Sequence, residues 1–445
     1  PNSGTATRMK IKEKPHSEES NSRRSVSVVD MTGPPEKRAE YGRSAGMKST
    51  RSHLARLYAA LPQRRTLDFP ATNAEHSRLA TFSLELSMLV ANPENYAGLT
   101  YPWTRAINPE PGVPQQVAEG VYWVRFPMPM GLDHINIWLL EDGDGWVVVD
   151  TCLDLPRSRE IWETLFSGFL SGKRITRVIC THMHPDHVGL AGWLTERFDC
   201  QLLMTREEYL MCRSLVSDTG KPAPEVAIRY FKAAGYSEEQ IDNYRRAFGG
   251  FGRAVYRLPD SFHRLKDRET LTIGGRYWQV IVGSGHSPEH ACLYCPALKL
   301  LISGDQVLPR ITPNVSVFPT EPDSDPLQEW LQSCARIREL LPEDLLVLPA
   351  HEAPFYGLHV RLTQLIETHK KELNQLYDHL SEPKRVVDCF PALFKREITE
   401  HHLSLATGET IAHLNCLRRR RQIDFNTDDA GVRWYFQLPE SIAFD

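Results

Sequence analysis

From residue 116 onward, short apolar runs alternate with stretches of helical spacing. Runs at 120–126, 136–140 and 146–150 predict three strands. The last two are joined by Asp142-Gly143-Asp144-Gly145, a strong hairpin signal. Pro156 opens a helix over 157–169, and 174–181 predicts another strand. Leu190, Trp193 and Leu194 then fall at helix spacing over 188–198. Further apolar runs at 278–282, 298–302 and 345–348 predict strands, with helices alternating between them up to His351. The pattern alone gives a mixed α and β domain.

An insertion over 222–253 holds two predicted helices, 225–234 and 237–248. Ser237 and Gln240 make a capping box, and Gly249-Gly250-Phe251-Gly252 closes the segment with a flexible turn. Two readings stand: a cap over a functional site lined by Tyr230, Phe231, Phe248 or Phe251, or aromatics that only pack the insertion to the body. Aromatics at helical spacing favour the second. Beyond residue 358 the pattern turns helical, over 358–379 and 400–420, and ends in a hairpin over 424–438 around Asp429-Ala430-Gly431. Residues 1–65 are rich in Ser, Arg, Lys and Glu and read as a disordered tail, with one short amphipathic piece at 54–61. Residues 66–115 form an N-terminal extension, in which 79–90 is apolar enough for a helix. The expected organisation is therefore a tail (1–65), the extension, a catalytic domain (116–357) and a small, mostly helical domain (358–445).

Composition changes this picture little. With 41% hydrophobic and 24% charged residues a large core is available. A net charge of −4 gives no drive towards nucleic acid or anionic membrane. No apolar run reaches the ~18 residues of a membrane span. No signal peptide is visible, and Glu13, Glu18, Glu19, Glu36 and Glu40 argue against an organelle leader. Nine scattered cysteines suit a reducing, cytoplasmic setting. Cys292 and Cys295, the one close pair, lie in a strand-like run that points them to opposite faces, so they read as core.

The chemistry is concentrated at His182-Met183-His184-Pro185-Asp186-His187, directly after the apolar Val178-Ile179-Cys180. Burying each of these groups costs several kcal/mol unless it is paired or ligated. Imidazole nitrogens and carboxylate oxygens are ligands that zinc favours. More candidates recur where other predicted strands end: His286 in Gly285-His286-Ser287-Pro288, Asp305 after Ser303-Gly304, and His351 after Pro349-Ala350. Loops on a rigid sheet are where such groups can converge. Seven ligand-type residues, one of them shared, are what two adjacent metals need.

Together with Asp150 at a strand end, these motifs resemble the metallo-β-lactamase superfamily, in the branch similar to glyoxalase II, over roughly residues 116–360. The resemblance implies an α/β fold of αββα sandwich type. It implies that His182, His184 and His286 hold one metal, that Asp186, His187 and His351 hold a second, and that Asp305 bridges both. Asp150 would hydrogen-bond around the site. Cys152 stands where the family often has glycine, and the tail resembles a winged-helix-like domain. Two metals ~3.5–4 Å apart would share a hydroxide that attacks an ester, thioester or lactone carbonyl. Asp186, Asp305 and Asp150 are the implied catalytic residues, the first two as candidates to orient the hydroxide. His184 occupies the position where the di-iron branch carries glutamate, so two zinc ions per chain are expected, with iron or manganese compatible.

Three activities stay open: a hydrolase of small esters, thioesters or lactones; a single-strand RNA endonuclease; and a mononuclear iron persulfide-type oxygenase. Leu308 replaces the tyrosine typical of the family's acyl-homoserine lactonases, which weighs against that substrate. Arg418 to Arg421 could hold RNA, but no stacking aromatic is interleaved, so a solvated helix end is the favoured reading. His290 reads as a supporting or structural residue; His134, which precedes a strand, could reach the site mouth, with a surface or packing role the favoured reading. His359, His369, His401, His402 and His413 fall in the helical tail without a partner pattern. The expectation is an enzyme acting on a small molecule, independent of membrane and nucleic acid, and compatible with a homodimer.

Overall fold

The computed structural model describes residues 94–103, 109–129 and 131–439. The predicted tail over 1–65 and the predicted helix over 79–90 lie outside them.

Successive side chains of one strand, His134–Asp142, serve two buried layers. Trp138 and Leu140 join one cluster; Ile135, Ile137 and Leu139 join the other. Side chains alternate across a strand, so a strand covered on both faces must be apolar at nearly every position. The same division separates Val147 and Val149 from Trp146 and Val148.

After a hairpin of β1 (Glu94–Tyr96) and β2 (Leu99–Tyr101) comes a seven-stranded sheet. Its strands run in chain order: β3 (Gln115–Ala118), β4 (Val121–Pro127), β5 (His134–Asp142), β6 (Gly145–Val149), β7 (Ile175–Ile179), β8 (Gln201–Met204) and β9 (His263–Arg264). Pairing is antiparallel up to β6 and parallel beyond it. The second sheet holds β10 (Thr270–Ile273), β11 (Arg276–Gly283), β12 (His290–Cys295), β13 (Leu300–Gly304) and β14 (Leu346–Pro349). Only its last pair, β13 with β14, is parallel. Trp123, Trp138, Trp278 and Val280 lie in the shared core between the sheets.

Helices cover the outer faces. On the first sheet these are α1 (Pro156–Ser167), α2 (Pro185–Val188), α3 (Ala191–Phe198) and α4 (Arg206–Ser217), which bury Trp162, Val188, Leu194 and Tyr209. The insertion forms α5 (Glu225–Ala233) and α6 (Glu238–Ala247). On the second sheet, α7 (Pro326–Leu340) and α8 (Leu358–His379) bury Trp330, Ile337, Leu362 and Leu365. Then come α9 (Phe390–Leu393), α10 (Leu403–Arg419) and a hairpin of β15 (Ile423–Thr427) and β16 (Arg433–Gln437). This is the α+β sandwich of mixed sheets flanked by helices, followed by a smaller helical region. No helix among the described residues is long and apolar enough to cross a membrane.

The helix expected over 188–198 is broken at Gly189. The Gly189 carbonyl accepts from the Tyr256 amide at 2.7 Å instead of continuing the helical ladder. A Cβ there would stand 2.5 Å from the Cys152 and Pro185 carbonyls, so only glycine lets the chain pass. The capping box of α6 is complete: Gln240 N donates to Ser237 Oγ, and Ser237 N donates to Gln240 Oε1 at 2.9 Å. In the insertion, Ile228, Phe231 and Ile241 make a small core of their own with Tyr230, Tyr236 and Tyr244 around it. Tyr230 donates to the Val317 carbonyl and Tyr236 bonds to Thr407. The arginines at the end of α10 are engaged within the chain: Arg419 on the Asp323 carbonyl, Arg420 on Gln328, and Arg418 over the Phe425 ring.

Candidate metal centre

Five strand ends point one group of side chains at the same place. Asp150 follows β6, the 182–187 cluster follows β7, His286 follows β11, Asp305 follows β13 and His351 follows β14. The parallel pairing of β13 and β14 sets Gly304 beside Pro349, so Asp305 and His351 leave the sheet together.

The side chains form interlocking groups: His182, His184 and His286; His182, His187 and Asp305; Asp186, His187 and His351. His182 Nε2 lies 2.8 Å from His184 Nδ1 and 3.2 Å from His286 Nε2. Asp305 faces both ways. Its Oδ2 is 3.4 Å from His286 Nε2, and its Oδ1 is 3.4 Å from His351 Nε2 and 3.7 Å from His187 Nε2. Asp186 Oδ2 is 3.4 Å from His351 Nε2 and 3.6 Å from His187 Nε2. All seven expected ligands are brought together.

Whether the group fits metal ions is tested by its unsatisfied atoms. His187 Nε2, His351 Nε2 and Asp305 Oδ1 are buried without a hydrogen-bond partner among the described residues. Stranded polar atoms of this kind are rare, and each costs a few kcal/mol. A divalent cation satisfies all three. Tautomers are fixed to suit: His286 Nδ1–H donates to the Asn314 carbonyl and His351 Nδ1–H to the His134 carbonyl, both at 2.7 Å. His187 Nδ1–H donates to Asp150 Oδ2 at 2.8 Å. In each ring the Nε2 lone pair is left aimed inward, the usual outer-shell device of metal-binding histidines.

Charge divides the centre into two halves. Burial and neighbouring imidazoles hold His182 well below the ordinary histidine range and push His184 down to about 3, so both are neutral donors. Burial also acts to lower His187 and His351, but the facing carboxylates outweigh it. Asp186, Asp150 and Asp305 raise His187 well above its ordinary value, and Asp305 and Asp186 push His351 up to about 10. Without a cation, that half gathers protons. The same negative field is what a divalent ion would take over.

The surroundings hold the ligand loops. Asp150, at a left-handed φ of 63°, also accepts from Thr181 N at 2.8 Å. Cys152, where glycine was expected, has φ 69°, a left-handed conformation that explains why glycine is the easier residue there. His290 is buried, stacks on the His182 ring, and accepts at Nε2 from the Asp305 amide at 3.1 Å. His134, for which the sequence favours a surface or packing role over a reach to the site mouth, is in contact with the site: its carbonyl accepts from His351 Nδ1, and its Nε2 accepts from the Glu352 amide at 2.9 Å.

Glu208 gave no sequence signal. It is fully buried in α4, accepts from the Met183 and Glu289 amides at 2.9 and 2.8 Å, and so ties two ligand loops together. Burial pushes its carboxyl up to about 7. Only its position three residues after Thr205, at the start of a helix behind the cluster, could have suggested it.

A cavity of about 870 Å³ runs along Glu196, Tyr256 and Asp260. A smaller one of about 210 Å³ is lined by Tyr101, Arg125, Asp133, His134, Arg310 and Glu352, directly beside the His134–His351 contact. Neither cavity is lined by any of the seven expected ligands.

With this geometry, comparisons with known proteins agree. Residues 130–351 match the metallo-beta-lactamase superfamily, and residues 373–438 match the metallo-beta-lactamase-like C-terminal domain. A beta-lactamase domain protein from Burkholderia ambifaria has a similar crystal structure, with a TM-score of 0.70 and 37% identity over 76% of this chain and 98% of that one. The probable metallo-hydrolase YqjP of Bacillus subtilis is 23% identical over 68% of this chain and 94% of its own length. The human acyl-coenzyme A thioesterase MBLAC2 is 25% identical over 53% of this chain and 80% of its own length. The chain belongs to the metallo-β-lactamase superfamily, with that superfamily's hydrolase fold and a metal-binding site of histidine and aspartate clusters.

Proposed function

We propose that this chain is a dinuclear zinc hydrolase of carbonyl esters, with thioesters the favoured class. The observation that carries the reading is Asp305, whose two oxygens face two separate histidine groups, an arrangement that suits a bridging carboxylate. His182, His184 and His286 would hold one ion and Asp186, His187 and His351 the other. Bound there, a metal pair supplies Lewis acidity for the carbonyl and lowers the pKa of water from 15.7 to about 7.

The chain's own residues do the rest. Asp150, Asn314 and His134 keep three imidazoles in the tautomer that presents Nε2. His184, His286 and Asp186 are the less deeply buried members, so substrate approaches from their side. Asp186 and Asp305 orient the attacking water. Arg125 and Arg310 line the neighbouring cavity beside His134, each within 4 Å of a carboxylate there, Asp133 and Glu352 respectively, so its lining is charge-balanced. The thioester preference rests on the likeness to an acyl-coenzyme A thioesterase.

The imidazole-rich donor set favours zinc. The second histidine–aspartate group weighs against a mononuclear iron oxygenase, and the engaged arginines of α10 weigh against a nuclease. The same reading assigns residues 116–357 to catalysis, with the 222–253 insertion as a cap, and 358–445 to a winged-helix-like tail on a cytoplasmic enzyme of glyoxalase II type. The test is elemental analysis followed by a screen of acyl thioesters, esters, lactones and single-stranded RNA. Thioester hydrolysis that chelation abolishes and zinc restores is expected. A single iron, or turnover of RNA alone, would overturn the reading.

A further inference from the structure

Among the described residues, one more group of ligand-type side chains converges away from the centre: His369, Glu372 and His413. The sequence offers the two histidines no partner pattern. The fold supplies one, because His369 and Glu372 stand one turn apart on α8 and His413 faces them from α10.

Distances within the group are specific. His369 Nδ1 is 3.0 Å from Glu372 Oε2, His413 Nε2 is 3.6 Å from the same oxygen, and the two nitrogens are 3.4 Å apart. Two ligands each ~2.0–2.1 Å from a zinc ion at the tetrahedral angle are about 3.3 Å apart. The three observed separations bracket that edge.

Hydrogen bonds explain the cluster less well. His413 Nδ1–H donates to the Glu409 carbonyl at 2.8 Å, so in the neutral ring Nε2 is a bare lone pair aimed at Glu372 and His369. With both rings neutral, a single proton on His369 Nδ1 faces two acceptors, Glu372 Oε2 and His413 Nε2, and two of the three separations exceed ordinary hydrogen-bond length. A cation would take all three ligand atoms, with the His369 proton moved to Nε2, which is buried without a hydrogen-bond partner among the described residues. The carbonyl on Nδ1 repeats the arrangement of His286 and His351 in the first centre. Both rings are buried, while the Glu372 side chain is 23% exposed and offers a way in.

We propose that His369, Glu372 and His413 form a separate site for one zinc ion, with water at the fourth position, clamping α8 to α10. Its location gives it a bearing on the first centre. Glu409, one turn before His413, accepts from Asn314 Nδ2 at 2.8 Å, and the Asn314 carbonyl orients His286. The clamp therefore stands behind a ligand of the first centre.

The experiment uses full-length protein stripped of metal, reloaded with zinc and freed of excess. His182→Ala/Asp186→Ala removes a member from each of the three groups of the first centre. This chain is expected to retain about one zinc, and adding Glu372→Gln to abolish it. Independently, Glu372→Gln and His413→Gln in the otherwise native chain should each hold about one zinc fewer than wild type. Zinc should also raise the melting temperature of His182→Ala/Asp186→Ala but not of the same chain carrying Glu372→Gln. A folded His182→Ala/Asp186→Ala chain that retains no zinc overturns the proposal. If that chain does not fold, equal zinc content in wild type, Glu372→Gln and His413→Gln overturns it. A first centre that failed to bind metal would leave the Glu372-dependent zinc unaffected, so the two sites are judged separately.

Discussion

Asp150 accepts the Nδ1–H of His187 at 2.8 Å with both side chains buried, and it does so from a left-handed backbone. The contact decides which His187 nitrogen faces the centre. Asp150→Asn keeps the shape but can present an amide N–H to the ring, which favours the wrong tautomer. Metal affinity and hydrolysis should fall by about 10–100-fold, as for other outer-shell changes, while the melting temperature changes little. Zinc titration with parallel thermal melts checks this. Unchanged zinc affinity would remove Asp150 from the support of the site.

Asp305→Ala removes the carboxylate that faces both histidine groups, and no neighbour replaces it. The variant should lose one metal and most turnover while keeping its far-ultraviolet spectrum. Elemental analysis beside an acyl-thioester assay is the check. Full metal content with near-native activity would show that Asp305 does not bridge.

Glu208→Ala strands the Met183 and Glu289 amides in a buried place. Each unpaired donor costs about 1–3 kcal/mol, so a clear drop in melting temperature is expected. Glu208→Gln, which retains one acceptor oxygen, should fall between the two. Equal melting of all three chains would mean that the ligand loops do not depend on this carboxylate.

Gly304→Ala tests the fit behind Asp305. The position has φ 50°, and a Cβ would come within 2.5 Å of His290 Cε1. Backbone strain alone is about 1–3 kcal/mol, and displacing His290 also disturbs its contact with the Asp305 amide. Chemical denaturation and zinc affinity should both worsen. An unaffected zinc constant would show that the loop adapts freely.

Asp142 links both sheets through Arg177, Thr176 and the Gly274 amide. Burial acts to raise its carboxyl, but these partners, Arg177 foremost, hold it below the ordinary range. A depressed carboxylate stabilises the fold above its unfolded pKa of about 3.9, and that contribution disappears as pH falls through the lower folded value. Asp142→Asn should therefore flatten the acid limb of the stability curve and lower stability at neutral pH. An acid limb identical to wild type would count against the link.

The strands were legible because runs buried on both faces are apolar at nearly every position and end at Asp and Gly, as 146–150 does. The candidate metal-holding cluster was legible because three imidazoles and a carboxylate in six residues do not belong in a core. Other parts left no trace of that kind. Glu208 looks like any acid in a first helical turn, where the dipole welcomes it. His134 works through its backbone carbonyl, which no residue type announces. His369 and His413 acquire a shared partner only once α8 and α10 are packed, and the break at Gly189 depends on Tyr256, far along the chain.

The parallel pairing of β13 and β14 has a kinetic side. Parallel neighbours cannot be joined by a tight turn, and here the link between them runs through α7. Asp305 and His351 therefore become neighbours only after that long loop has closed, and His182 joins them from the opposite sheet. Loop closure of this sort is entropically slow. The seven side chains of the first centre are therefore brought together only when nearly all of the sandwich is assembled. The geometry of that centre is thus a product of completed folding and not of any single local segment.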